Sequence, residues 1–175
     1  MSAADRGDGT TAPVGRLLAA MGRLADETRG RPRTGLTHED ADDVTGTAGT
    51  DDAAGFDPLP LLRALDRAGA RVVVIGQVAG IMHGSRELTG DLDLLWDGDA
   101  AQAGSLAAVF AASSARLTDD DGVCVRCEPA AFRLPKVLFR TATASGDCCT
   151  RPCRGAPCRS WISSSAARQR PPGNS

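Results

Sequence analysis

Helical and strand patterns alternate between residues 57 and 115, and this alternation limits the chain to a layered α/β fold. An apolar helical face ends at Gly69, and a β-branched run over residues 71–75 then indicates a strand buried on both faces. Gly76 opens a short second helix, and a second apolar run over residues 92–96 precedes a third helix. We therefore predict an α/β fold, a small mixed sheet with flanking helices, in which these two strands are neighbours.

Weaker strand patterns at 123–127 and 137–139 extend the predicted core to residues 57–147. Residues 1–56 predict a mostly disordered segment with one short helix at 13–27, where apolar residues recur at helical spacing. The acidic stretch between residues 29 and 56 is typical of a solvated linker.

The C-terminal segment, residues 148–175, is rich in Arg, Pro, Ser and Cys and contains no acidic residue. Apolar periodicity stops there, so we predict a disordered tail. Shifted GC-rich codons tend to encode this composition, and we favour a change of reading frame near Thr150, which would leave the domain truncated. A genuine disordered tail is the alternative.

The overall composition predicts a small core and a cytoplasmic protein. Aromatic residues make up 3% of the chain and Tyr is absent, while the net charge of −2 favours neither nucleic acid nor a membrane as a bulk electrostatic partner. No apolar run is long enough to span a bilayer, and the N-terminus lacks the pattern of a secretory signal. In the cytoplasm the six cysteines would stay reduced.

Two carboxylates interrupt the second apolar strand. Side chains alternate along a strand, so Asp91 and Asp93 share one face, roughly 7 Å apart. Such a pair can bind Mg²⁺ or Mn²⁺, hard cations that commonly share their coordination with substrate phosphates. Gly76 and Gln77 stand where a strand meets a helix, a place where phosphate can approach the backbone.

Taken together, residues 72–97 resemble the nucleotidyltransferase superfamily, whose fold is that of DNA polymerase β, and within it the small bacterial proteins of abortive-infection and toxin–antitoxin systems. The resemblance covers about residues 57–115. The matching residues are Gly76, Ala79, His83, Gly84, Arg86, Thr89, Asp91 and Asp93.

This resemblance implies transfer of a nucleoside monophosphate from an NTP to a hydroxyl, with pyrophosphate leaving. Asp91 and Asp93 would be the catalytic metal ligands. The residues expected to bind the nucleotide are Gly76, Gln77, Arg86 and Thr89. Gln77 departs from the small residue usual in the family. The acceptor stays open among RNA, a protein side chain and a small molecule, and an antitoxin would be a protein partner.

The superfamily usually adds a third carboxylate from a later strand. The candidates are Asp147 and Glu128, neither of which has an apolar residue of the usual kind on both sides. The alternative function is therefore an inactive, truncated relative that binds nucleotide or a protein partner.

A zinc-stabilised interaction module is a further alternative, because Cys124 and Cys127 have the spacing of metal ligands. Cys148, Cys149, Cys153 and Cys158 follow, but without a second clean Cys-x-x-Cys. For His83, a packing role is favoured over catalysis.

Overall fold

The computed structural model describes residues 12–41 and 46–150 and contains a six-stranded mixed sheet flanked by helices. The α-helices are α1 (Pro13–Thr28), α2 (Leu59–Arg67), α3 (Gly76–Met82) and α4 (Ala100–Ala112). The strands are β1 (Val72–Ile75), β2 (Leu92–Trp96), β3 (Arg116–Thr118), β4 (Cys124–Val125), β5 (Lys136–Arg140) and β6 (Ser145–Thr150). Short 3₁₀ turns lie at His38–Asp40, Thr47–Gly49, Asp51–Ala53 and Ala131–Arg133. The predicted α/β class is confirmed.

The strand order is β1-β2-β6-β5-β3-β4, and among the strands of the described residues only β2 and β6 pair in parallel. The predicted neighbours β1 and β2 are indeed paired, as an antiparallel ladder. The prediction that the first strand is buried on both faces is wrong. β1 is an edge strand, and Val73 is 60% exposed because nothing among the described residues covers that side of it.

The core lies between one face of the sheet and the helices behind it. Leu92, Leu94 and Trp96 alternate along β2 with half-exposed residues and point into this core. The ring of Phe110 on α4 lies 5.2 Å from the ring of Phe132. With so few aromatic residues in the chain, clustering these rings concentrates much of the available apolar area in one place.

Helix α1 confirms the predicted N-terminal helix and packs against α3. Leu17, Ala20 and Leu24 recur at helical spacing and are buried. Arg16 Nε donates a hydrogen bond of 2.8 Å to the carbonyl of Met82, at the end of α3. Helix α1 therefore fixes the position of α3, the helix that directly follows β1.

The segment predicted as a solvated linker differs from that expectation between residues 46 and 56. Thr50 and Ala53 are almost fully buried, and Phe56 is buried as well. The contact with the chain before β2 is close: a Cβ at Gly90 would lie 2.7 Å from the backbone of Ala53. Short 3₁₀ turns bring these few apolar groups together without the periodicity of a helix or strand.

The prediction of a disordered tail from residue 148 onward is wrong for its first three residues. Residues 148–150 belong to β6, which is paired on both sides, and Cys148 is 1% exposed. The rest of that prediction, including the change of reading frame, concerns residues 151–175, which lie outside the described residues together with 1–11 and 42–45.

Among the helices of the described residues, none has both the length and the apolar character needed to cross a bilayer.

Candidate functional site

The turn from β1 into α3 is built around the carboxylate of Asp93. Ile75 pairs with Asp93 across the β1–β2 ladder, and Gly76 follows with φ +63°. A Cβ on Gly76 would lie 1.9 Å from Asp93 Oδ2. Glycine is therefore required here for two reasons, the left-handed backbone and the close approach of a carboxylate.

Asp147 lies directly beside Asp93 on the neighbouring strand. The parallel register of β2 and β6 pairs Asp93 with Asp147, so both side chains belong to the same face of the sheet. The approach depends on Gly146, where a Cβ would lie 2.0 Å from the carbonyl oxygen of Leu92. Of the two candidates for a third carboxylate, only Asp147 is placed near the pair, since Glu128 stands in an exposed loop beyond β4.

Asp91 is held by two threonine hydroxyls at the entrance to β2. Thr47 Oγ1 donates a hydrogen bond of 2.9 Å to Asp91 Oδ1, and Thr89 Oγ1 donates another to the same oxygen. Thr89 is buried. Its hydroxyl is directed at Asp91, so in this structure it orients a carboxylate, whereas the resemblance implied a nucleotide contact.

Burial, together with the neighbouring carboxylates, raises the pKa of the Asp93 carboxyl to about 7. Burial is the largest cause, and the neighbouring charges of Asp91 and Asp147 add to it. His38 and Lys136 act in the opposite direction but do not outweigh these effects. At neutral pH Asp93 is thus divided between its two protonation states, and a bound cation would favour the ionised one.

A cationic group stands on the other side of Asp147. Lys136 Nζ lies 2.8 Å from Asp147 Oδ2. Burial alone would raise the pKa of Asp147, yet the pKa is lowered because His38 and Lys136 favour the ionised carboxylate. The second oxygen, Oδ1, is buried and accepts no hydrogen bond from the described residues.

His38 reaches this cluster from the segment between α1 and α2. Its Nδ1 lies 3.0 Å from Asp52 Oδ2, and its Nε2 lies 3.7 Å from Asp147 Oδ1, too far for a hydrogen bond. Burial would lower the pKa of His38, but the carboxylates of Asp147 and Asp52 outweigh burial and raise it. Arg140 of β5 donates two hydrogen bonds to Asp52 and anchors the segment to the sheet.

Three other predicted residues are placed around α3. The amide of Gln77 donates a hydrogen bond of 3.0 Å to Ser85 Oγ, so its side chain is engaged with the loop that follows the helix. His83 ends the helix and is exposed. Arg86 is exposed in the loop before β2. Neither of these two lies in the group that surrounds Asp93.

The residues present are chemically suited to a hard divalent cation, although they are not yet arranged around one. Within residues 12–41 and 46–150, no group of three or more carboxylate, His or Cys side chains converges closely enough to hold a metal ion. Asp91 is turned toward two hydroxyls and Asp147 toward Lys136. The raised pKa of Asp93 shows that its ionised form is disfavoured without a cation, and Asp147 has one oxygen without a hydrogen-bond partner. Carboxylate oxygens of this kind fit Mg²⁺ or Mn²⁺.

The cysteines give no zinc site within the part of the chain that the structure describes. Cys124 is exposed on β4, and Cys127 Sγ donates a hydrogen bond of 3.3 Å to the carbonyl of Ala115. Cys148 lies on β6, which β5 and β3 separate from β4. All four described cysteines are free thiols.

The sequence reasoning did not find His38, Thr47, Asp52, Lys136 or Arg140. The acidic stretch around His38 carries no pattern that distinguishes a packed segment from a linker. Asp147 was a candidate third carboxylate, but its neighbours, Gly146 and Cys148, did not distinguish it from Glu128. A cysteine often behaves as a small buried hydrophobe, and this was the available signal that Asp147 stands in a strand.

Comparison of the chain with protein-family models, with curated proteins and with solved structures finds no match. The function is therefore argued from the geometry of the site itself.

Proposed function

We propose that this protein is a metal-dependent nucleotidyltransferase that moves a nucleoside monophosphate from an NTP to a hydroxyl acceptor. The observation that carries the proposal is the position of Asp147, which is paired with Asp93 on a parallel strand and faces the same side of the sheet. With Asp91 two residues before Asp93, the chain has the three carboxylates that this chemistry uses.

The roles follow from position. Asp91 and Asp93 would hold one or two Mg²⁺ or Mn²⁺ ions, and these supply charge neutralisation and alignment of the phosphates when bound. The triphosphate would lie against the backbone of Gly76 and Gln77, and Gly76 closely approaches the Asp93 carboxylate. Thr47 and Thr89 keep Asp91 oriented. Asp147 is ionised at neutral pH, so it would be the carboxylate that accepts the proton of the acceptor hydroxyl.

In the proposed reaction, the acceptor oxygen forms a bond to the α-phosphorus of the NTP. The bond from the α-phosphorus to the bridging oxygen breaks, and pyrophosphate leaves with that electron pair. The hydroxyl proton passes to Asp147. The same proposal includes a cytoplasmic location, because NTPs and reduced thiols occur together in the cytoplasm. It also includes membership in the toxin–antitoxin type, with an antitoxin as protein partner.

The test is incubation of the full chain with each α-labelled NTP, Mg²⁺ and total RNA or cell lysate. We expect label to enter one acceptor class. Asp147→Asn should reduce the rate of transfer more than 100-fold, on the order of 3 kcal/mol in activation free energy. Glu128→Gln is the matched control and should transfer label as the wild type does. Transfer that survives Asp147→Asn would reject the assigned role. The absence of transfer with all four NTPs would favour the alternative of a binding-only relative.

A further inference from the structure

The face of the sheet that carries the candidate site continues beyond Asp147 in a straight row. Asp147 pairs with Leu138 of β5, and Leu138 pairs with Thr118 of β3. Strands lie about 4.8 Å apart, so β3 is roughly 10 Å from Asp147, on the side away from Gly76. The Gly76 turn, where the proposed function places the triphosphate, and the far end of this row thus stand on opposite sides of the carboxylates.

Two arginines stand directly opposite each other beside this row, one on β3 and one on β5. Arg116 of β3 pairs with Arg140 of β5. Arg116 is two residues from Thr118 and Arg140 is two residues from Leu138, so both arginines belong to the face of the sheet that carries the row. Like charges in a directly opposed cross-strand pair are unfavourable unless an anion compensates them. Arg140 is bound to Asp52, whereas Arg116 forms no ion pair with any residue in the described ranges.

A cavity of about 200 Å³ lies over this pair, and its lining includes Arg116, Arg140, Thr118 and Leu138. His38 forms the wall toward Asp147, and Glu39 stands exposed in the lining. The cavity offers a guanidinium and a hydroxyl as hydrogen-bond donors next to apolar surface. This combination suits a phosphate carried by an organic group.

We propose that this cavity is the acceptor subsite and that it binds a phosphate group of the acceptor, with Arg116 as the residue that contacts it. The inference rests on the proposed function, which places the NTP on the Gly76 side and so leaves the side beyond Asp147 to the acceptor. An acceptor held this way presents a hydroxyl at Asp147 and a phosphate roughly 10 Å away over β3. A phosphodiester of a nucleic-acid strand and a phosphomonoester of a small molecule share this chemistry, whereas an unmodified protein side chain lacks it.

The experiment measures binding of a fluorescent trinucleotide to the full chain by anisotropy, without NTP or divalent cation. A trinucleotide with uncharged methylphosphonate linkages is the matched probe. We expect the charged probe to bind more tightly than the uncharged one. Arg116→Gln should weaken the charged probe on the order of tenfold, the usual effect of losing one charge-assisted hydrogen bond. Arg116→Lys should keep most of the affinity.

Arg126→Gln is the control, because Arg126 is an exposed arginine beside β4 and outside the cavity lining. It should leave the affinity within about twofold. Competition with a sugar phosphate separates the two sources of phosphate: displacement at a concentration similar to that of the trinucleotide indicates a small phosphorylated acceptor, and displacement by the trinucleotide alone indicates a nucleic-acid strand. Equal binding of the charged and uncharged probes would overturn the proposal, as would equal losses in Arg116→Gln and Arg126→Gln.

The two proposals fail separately. Probe binding through Arg116 with no nucleotide transfer would reject the nucleotidyltransferase, and the cavity would then be a phosphate-binding site without the acceptor role. Transfer that Arg116→Gln leaves unchanged would reject the acceptor subsite alone.

Discussion

Asp93 lies at the centre of the charged groups of the site. It contacts the backbone of Gly76, pairs with Asp147 and is two residues from Asp91. A carboxylate in this position is costly in the absence of a cation, because burial and two neighbouring carboxylates all disfavour its ionised form. The folded chain therefore gives up stability at neutral pH that a bound cation would restore.

Replacing Asp93 with Asn should stabilise the metal-free protein in a pH-dependent way. The unfolded chain loses the Asp93 proton near pH 3.8, while the folded protein retains it until about pH 7. In that window the folded state binds more protons, so its free energy of unfolding falls as the pH rises. We expect the advantage of Asp93→Asn to grow by on the order of 3 kcal/mol between pH 4 and pH 8.

Urea denaturation in the absence of divalent cations measures this difference. Asp66→Asn, at an exposed position on α2, serves as the control and should show no comparable growth. A difference between Asp93→Asn and wild type that stays constant across this pH range would contradict the electrostatic environment assigned to Asp93.

Gly76 should be intolerant of alanine for a reason that goes beyond its backbone angle. Gly76 and Gly69 have nearly the same φ, +63° and +62°, but only at Gly76 would a Cβ collide with a neighbour, the Asp93 carboxylate. We expect each alanine variant to lose about 1 kcal/mol of stability through backbone strain. Only Gly76→Ala should also abolish Mg²⁺-dependent nucleotide binding, because Asp93 must move. Equal nucleotide affinities of the two variants in calorimetry would refute this.

At the scale of elements, a buried carboxylate links the segment between α1 and α2 to strand β5. The Asp52 side chain is 4% exposed and binds both His38 and Arg140. Burial would raise its pKa, but the hydrogen bonds from Arg140 and His38 lower it to about 2. The stabilisation is therefore present above about pH 4 and is lost as the pH falls toward 2.

Asp52→Asn should accordingly cost about 2 kcal/mol near pH 7, since a buried charge pair loses one partner. Asp26→Asn is the control, because Asp26 and Arg29 form an exposed pair whose loss should cost less than about 0.5 kcal/mol. Thermal denaturation at pH 7 compares the two variants. Similar losses in both would show that the Asp52 pair does not anchor the segment.

The elements that the sequence predicted were those whose patterns are local. Helices α1 and α4 carry their own apolar spacing, and Asp99 caps α4, accepting a hydrogen bond of 2.9 Å from the amide of Ala101. Strand β6 could not be predicted in the same way. Its sequence, Ser-Gly-Asp-Cys-Cys-Thr, has little β-propensity, and it is a strand because β2 and β5 pair with it from both sides.

The same limit applies to the candidate site. Asp91 and Asp93 were recognisable because a strand places them on one face, which needs only local geometry. The neighbours of Asp93 depend on pairings between distant parts of the chain. Asp147 comes from β6, and His38 comes from a segment whose composition resembles a linker. Pairing of this kind is decided by the whole fold and leaves no trace in a short window of sequence.

At the scale of the whole molecule, the two faces of the sheet carry different side chains. One face packs its apolar residues against α4 and forms the core. The other carries the charged groups in order across the strands, from Gly76 at the end of β1 through Asp93 and Asp147 to Arg116. If the protein transfers nucleotides as proposed, the triphosphate, the metal ions and the acceptor would lie across the sheet in this same order.

The most direct test of the metal–nucleotide site is the affinity of the full chain for nucleoside triphosphates, measured by calorimetry with and without Mg²⁺ for the wild type and for Asp93→Asn. We expect Mg²⁺ to tighten binding to the wild type by at least tenfold, about 1.4 kcal/mol. Asp93→Asn should remain folded and lose this dependence on Mg²⁺. Equal affinities in all four measurements would contradict the metal–nucleotide site and leave the carboxylates without the role assigned to them.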